Sequence, residues 1–317
     1  MTERSHSGTA SWSSARPSLR HRLEYWAYRI ARAEASVLPE WLATRRGALT
    51  GWFAGVVLRI RRRDVDAHLA AVFPHESAAW RRRVARASYM HLGREAATLF
   101  RMTKWSREEI LDRVRFVDFD AVREAAGQER GVVLLTAHLG NWEVAGAGIA
   151  ALGFPLDVVG KGMANRRFEA DLFEIRERLG MRVIEMSDAP KGVLRSLGRG
   201  RVVAMLADQN AHRNGVFLPF FGRLAATPRG PALFALRCDA PVFVGFAVRD
   251  PGWQQTYTLV AKRLEFDVTG DVEQDTKNLL VAYHRLLEEA IVSAPGQYFW
   301  HHKRWKTRPR AEASQEF

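Results

Sequence analysis

From Gly131 onward, short apolar runs alternate with helical periods, and this alternation constrains the fold more than any other feature of the chain. The runs are GVVLLTA (131–137), LDVVG (156–160), MRVIE (181–185), VVAMLAD (202–208), PVFVGFAV (241–248) and TYTLVA (256–261). Between them lie EVAGAGIAAL, RFEADLFEIRERL, APKGVLRSL and PRGPALFALRC, with apolar residues at helical spacing. Strands that read as continuous apolar runs are buried on both faces. The pattern therefore predicts an α/β fold with a mostly parallel central sheet flanked by helices. A long amphipathic helix over roughly 272–294 precedes a basic, aromatic end, QYFWHHKRWKTRPR.

The first 130 residues have a different texture. Residues 1–20 are polar and read as a disordered tail, and 310–317 as a second one. From 21 to 130 the periodicity is helical, as in LEYWAYRIARAEASVL and AAWRRRVARASYMHLGREAATLF, with aromatics on one side and arginines on the other. Such helices suit a membrane interface, where rings sit at headgroup level and guanidinium groups meet phosphates; an ordinary helical layer with a solvated basic face is the alternative. The reading is a helical, membrane-associating lead-in (21–130) on an α/β core (131–309), integrated as one domain.

Composition narrows the classes. The 317 residues carry 48 Lys and Arg against 35 Asp and Glu, a net charge of +13, which calls for an anionic partner. A single cysteine, Cys238, excludes a disulfide framework and a Cys-rich zinc site, and it reads as core packing. No run reaches the roughly 18 apolar residues of a membrane span; Ala48 to Leu58 falls well short and is followed by Arg59 and Arg61-Arg62-Arg63. The N-terminus lacks the apolar region of a secretory signal, so a cytosolic, reducing location is expected. Nucleic-acid binding would satisfy the charge, yet the arginines are spread along helices and no compact nucleic-acid motif occurs. Gly146-x-Gly148-x-x-Ala151 spells a dinucleotide fingerprint, but it falls inside a predicted helix, where it serves close packing on the sheet.

Polar residues at strand carboxyl ends mark ligand sites in open α/β sheets. The first such end reads TAHLGNWE: His138 follows the strand, Gly140 permits a tight turn, and Asn141 is a good helix N-cap. A carboxylate five residues on, Glu143, can fold back onto the imidazole, leaving the other nitrogen to take a proton from a hydroxyl. A structural histidine at a strand end, with Glu143 merely favoured by the helix dipole, is the competing reading. The second end gathers Asp208, Gln209 and Asn210. GVFLPFFG (215–222) follows as an apolar loop suited to an acyl chain or to the core, and Thr227-Pro228 reads as the start of a helix. No G-x-S-x-G elbow is present, and the chemistry requires neither metal nor cofactor.

Taken in order, HLGNWE, ADQN with LPFFG and AATPRGPALFA, and QYFWHHKRWKTRP resemble the bacterial lipid A biosynthesis late acyltransferases, within the wider His-x4-carboxylate glycerolipid acyltransferases. The related phosphatidylinositol mannoside acyltransferases share these blocks. The resemblance runs loosely from about residue 25 to 309. It implies transfer of a fatty acyl group from acyl carrier protein or acyl-CoA to a hydroxyl of an anionic glycolipid, at the cytoplasmic face of the inner membrane. It implies His138 as general base and Glu143 as its orienting carboxylate. Substrate contacts are expected from Asn141, Asn165, Arg166, Arg167, Arg176, Asp208, Gln209, Phe220 and Arg229. Two departures stand out: the family often opens with a clear spanning helix, and many lipid A enzymes carry His where this chain has Gln209.

Overall fold

The computed structural model describes residues 18–127 and 130–309. The lead-in is helical: α1 (Leu19–Val37), α2 (Glu40–Trp52) running into a π turn at Phe53–Val57, α3 (Arg62–Val72), α4 (Ala78–Met102), α5 (Arg107–Arg113) and α6 (Phe119–Ala126). The tail expected for residues 1–20 lies outside the described residues up to 17, as do 310–317; Ser18 already caps α1 through its hydroxyl. Helices α2 and α4 approach backbone to backbone. Gly47 and Gly51 face Gly93 and Tyr89 so closely that a Cβ at Gly47, Gly51 or Gly93 would strike a carbonyl oxygen of the opposite helix.

One strand, β1 (Val114–Val117), interrupts the segment expected to be purely helical. It pairs in parallel with β9 (Tyr257–Arg263), so the sheet reaches back into the lead-in and the boundary at 130 is not a structural one. Four residues are too short for a periodicity to register. The remaining strands fall on the apolar runs: β2 (Val132–Thr136), β3 (Leu156–Gly160), β4 (Arg182–Glu185), β5 (Val202–Leu206) and β8 (Val242–Arg249). Together these seven form one sheet in the order β1-β9-β8-β2-β5-β3-β4, parallel except where β8 meets β9. All five residues of β2 are buried, as a central strand covered on both faces must be.

Helices α7 (Trp142–Ala151), α8 (Arg166–Arg178), α9 (Ala189–Leu197), α10 (Gly230–Arg237) and α11 (Val272–Ser293) complete the layers. Gly146 and Gly148 lie within α7 against Met181 and Phe116, as close packing of helix on sheet requires. The apolar loop is in fact a hairpin, β6 (Val216–Phe220) and β7 (Arg223–Thr227), whose two-residue turn, Phe221-Gly222, has both φ angles positive. Thr227 therefore ends a strand instead of capping a helix, and α10 begins at Gly230. Among the described residues no helix is long and apolar enough to cross a membrane.

Candidate active site

Strand register assembles the site. Strands β2 and β5 run parallel as neighbours with Thr136 opposite Leu206, so the residues two further on, His138 and Asp208, emerge level with one another. Asp208 then holds His138 twice. Its Oδ1 accepts from Nδ1 at 2.8 Å and its Oδ2 accepts from the backbone N–H at 3.1 Å. This fixes the imidazole with Nδ1 protonated and Nε2 carrying the lone pair. Burial alone would raise the Asp208 carboxyl, but the His138 charge and these two hydrogen bonds keep it below the usual carboxylate range. Gln209 lies against the other nitrogen, its amide nitrogen 3.1 Å from Nε2.

Glu143 is not the carboxylate that orients His138. Gly140 turns the chain with φ +64°, and the Asn141 side chain caps α7 by accepting from the N–H groups of Glu143 and Val144, each at 3.0 Å. From the first turn of that helix the Glu143 carboxylate meets α8. Arg176 grips it with Nε (3.0 Å) and Nη2 (2.5 Å), and the Trp142 indole N–H adds a third bond at 3.1 Å. The Arg176 guanidinium is raised despite burial, which would lower it, because Glu143 stands beside it. Glu143 and His138 are joined through Trp142, whose ring meets the imidazole edge-on at a centroid distance of 4.6 Å. No sequence signal singled out Trp142 beyond its place in HLGNWE.

Behind the turn lies a buried polar cluster that sequence reading missed. Glu95 of α4 accepts from Asn141 Nδ2, Arg249 Nε and the Tyr257 hydroxyl, all at 2.6 Å, while His91 donates to the carbonyl of Gly140 at 3.1 Å. Burial would raise the Glu95 carboxyl, yet His91 and Arg249 hold it low. Asn141 thus spends its side-chain oxygen on the helix cap and one amide N–H on Glu95, and it is buried. The C-terminal segment also belongs to the site. The N–H of Phe299 donates to the carbonyl of His138 at 2.9 Å, and that of Asn210 donates to His302 Nε2 at 2.9 Å. Trp300, His301 and Arg304 are buried, so QYFWHHKRW is a structural strap; among the described residues of this end, Lys303, Lys306 and Arg308 keep exposed basic heads.

Other expected contacts lie elsewhere. Asn165 donates to the carbonyl of His21 at 2.9 Å, tying α8 to α1. Arg166 pairs with Glu169 at 2.9 Å, and Arg167 stands over the Tyr25 ring. Phe220 is fully buried, stacked on Trp305 and under the Arg304 guanidinium, so it fills the core. Arg229 is exposed at the entry to α10, with no side-chain hydrogen bond to His138, Asp208 or Glu143 among the described residues. Among those residues no cluster of His, Cys, Asp and Glu could hold a metal ion.

A histidine held by a buried carboxylate where two neighbouring parallel strands end, its other nitrogen beside only the Gln209 amide among the described residues, is an arrangement able to take a proton from a hydroxyl. Residues 13–307 match the family described as bacterial lipid A biosynthesis acyltransferase, and the chain belongs to that family, an acyltransferase by class. Its relatives include the lipid A biosynthesis lauroyltransferase of Escherichia coli, 26% identical over 87% of this chain and 89% of that one. The phosphatidylinositol mannoside acyltransferase of Mycobacterium tuberculosis is 30% identical over 72% and 75%. That of Mycolicibacterium smegmatis is 28% identical, with the match spanning 51% of this chain and about half, 53%, of the relative.

Proposed function

We propose that the chain moves a fatty acyl group from acyl carrier protein or acyl-CoA to a hydroxyl of an anionic glycolipid such as a lipid A precursor, with His138 as general base. The observation that carries this is the double grip of Asp208 on His138, which leaves Nε2 as the proton acceptor. In the step, Nε2 removes the acceptor hydroxyl proton as that oxygen bonds to the thioester carbonyl carbon. The C–S bond then breaks and the imidazolium returns the proton to the thiolate. Asp208 stabilises the transient imidazolium, and the Gln209 amide occupies the place that the incoming hydroxyl takes. Glu143 supports the base indirectly, through Trp142 and Arg176.

We propose further that the reaction runs at a membrane surface, the cytoplasmic face of the inner membrane, and exposed apolar and basic residues support the membrane part of that reading. Leu19, Leu23, Trp26 and Ile30 of α1, and Trp41, Leu49, Val57 and Leu58 of α2 and the turn after it, are each more than half exposed. Basic Arg59, Arg61 and Arg63 follow at once and are exposed as well, a combination that favours anionic headgroups. A phosphatidylinositol mannoside or another glycerolipid is the second acceptor reading. It is favoured by the relatives with that name and by Gln209 in place of the histidine common in lipid A enzymes. Incubating purified protein with acyl donors on each carrier, against lipid A precursor and phosphatidylinositol mannoside in parallel, tests both readings. Gain of one acyl chain on one acceptor supports the assignment, and acylation of neither would overturn it.

A further inference from the structure

Two cavities flank Trp142. One, of about 20 Å³, is a cleft lined by Ser88, His91, His138, Trp142 and Phe299. The other, of about 40 Å³, lies over the sheet among Ile149, Val158, Met181 and Ala204, with Trp142, Glu143 and Arg176 at its edge. Among the described residues Trp142 alone lines both. Its indole is locked in that position. The ring is packed on His138 on one side, and its N–H is bonded on the other to a carboxylate that Arg176 grips with two nitrogens. Two larger cavities, one between the sheet at β8 and β9 and α11 and one beside α10, include no residue of the site.

We propose that Trp142 sets the length of acyl chain the protein accepts, by closing the apolar cavity over the sheet off from the cleft at His138. The inference rests on the reading of His138 as the base of an acyl transfer. A thioester whose carbonyl carbon sits at His138 must lead its hydrocarbon chain away along apolar surface. Through Trp142 the apolar space at the sheet is the adjoining compartment. With the indole in place the chain ends against it; with the indole gone, the chain continues between Ile149, Val158 and Ala204.

The test is binding by calorimetry of S-alkyl thioethers of phosphopantetheine, the arm that acyl carrier protein and CoA share, in a series of increasing alkyl length. Such thioethers cannot react, so affinity is read without turnover. For the wild-type chain, affinity should rise about fourfold per added methylene, as burial of each dictates, and then level off. In Trp142→Ala the rise should continue for further methylenes, and adding Ala204→Leu, which refills the cavity from the sheet side, should cancel that extension. Trp142→Phe should extend the rise by less and serves as the test if the alanine variant does not fold. The same levelling point in wild type and variant, or an extension that survives Ala204→Leu, would overturn the inference. A wild-type chain that binds no member of the series would overturn the acyl-donor reading itself, and the inference with it.

Discussion

The carboxyl edge of β2 and β5 and the helices α1 and α2 depart from ordinary protein surfaces in opposite ways. At the sheet edge the molecule buries charge: Asp208, Glu143, Glu95 and Arg249 all lie inside, and each is met by a partner of opposite charge or a protonatable histidine. At α1 and α2 it exposes what is normally buried, including Trp26 and Trp41. Buried charge is costly unless every partner is in place, whereas an exposed apolar stripe costs little until it finds something to cover it. The first region should therefore tolerate almost no substitution, and the second should tolerate many without loss of fold.

The largest effect on stability is expected at Glu95. Its removal leaves Arg249 buried without its carboxylate and frees the Asn141 cap, and Glu95→Ala should cost about 3–5 kcal/mol in denaturant unfolding. A loss no larger than that of a surface mutation would erase the contrast between the two regions. Next comes Arg176→Lys. A single ammonium cannot reproduce the two-pronged grip on Glu143, so turnover should fall about tenfold while the fold persists.

A smaller effect, visible only with pH, is expected at His301. Burial depresses its imidazole from 6.5 to about 4, and neither ring nitrogen has a hydrogen-bond partner among the described residues. Below about 6.5 the unfolded chain takes up a proton that the folded chain refuses. Stability is therefore lost as pH falls through the window from about 6.5 to about 4. His301→Phe, set between Tyr89 and Phe299, should be near neutral at pH 7 and melt at higher temperature than wild type at pH 5. Equal pH dependence in the two proteins would contradict this. The smallest effect on stability belongs to Leu23, Trp26 and Ile30. Their joint change to serine should alter folding by about 0.5 kcal/mol or less per site, yet reduce sedimentation with anionic vesicles at low salt. Unchanged vesicle binding would remove α1 from the membrane reading.

Much of this was legible in the chain, and the misses at the site come from contacts between residues far apart in sequence. Six of the seven strands of the main sheet lie on apolar runs because a strand buried on both faces must be apolar throughout. Both site-bearing strand ends follow from the polar residues that succeed those runs. His138 and Asp208 were each visible, but not as a pair. Glu143 is five residues from His138 and Asp208 is seventy, and only the β2–β5 register brings the distant one alongside. Asn141 declared itself as a cap, whereas its bond to Glu95 spans 46 residues and leaves no local trace. Phe220 and the C-terminal aromatics carry the composition of a lipid or headgroup site, yet tertiary packing makes them core. β1 is too short, and the β6–β7 turn reads as a loop because its left-handed positions fall on Phe221-Gly222, not on the Asn-Gly pair that usually announces a hairpin.

The central claim is that the base is held across strands by Asp208 and not along the chain by Glu143. It is tested most directly by comparing turnover of acyl donor by purified His138→Ala, Asp208→Asn and Glu143→Gln. Loss of the base should cost about 10²–10⁴-fold, with Asp208→Asn falling close to it because an amide no longer fixes the tautomer, and Glu143→Gln losing distinctly less. Near-normal turnover in Asp208→Asn beside an inactive Glu143→Gln would contradict the account.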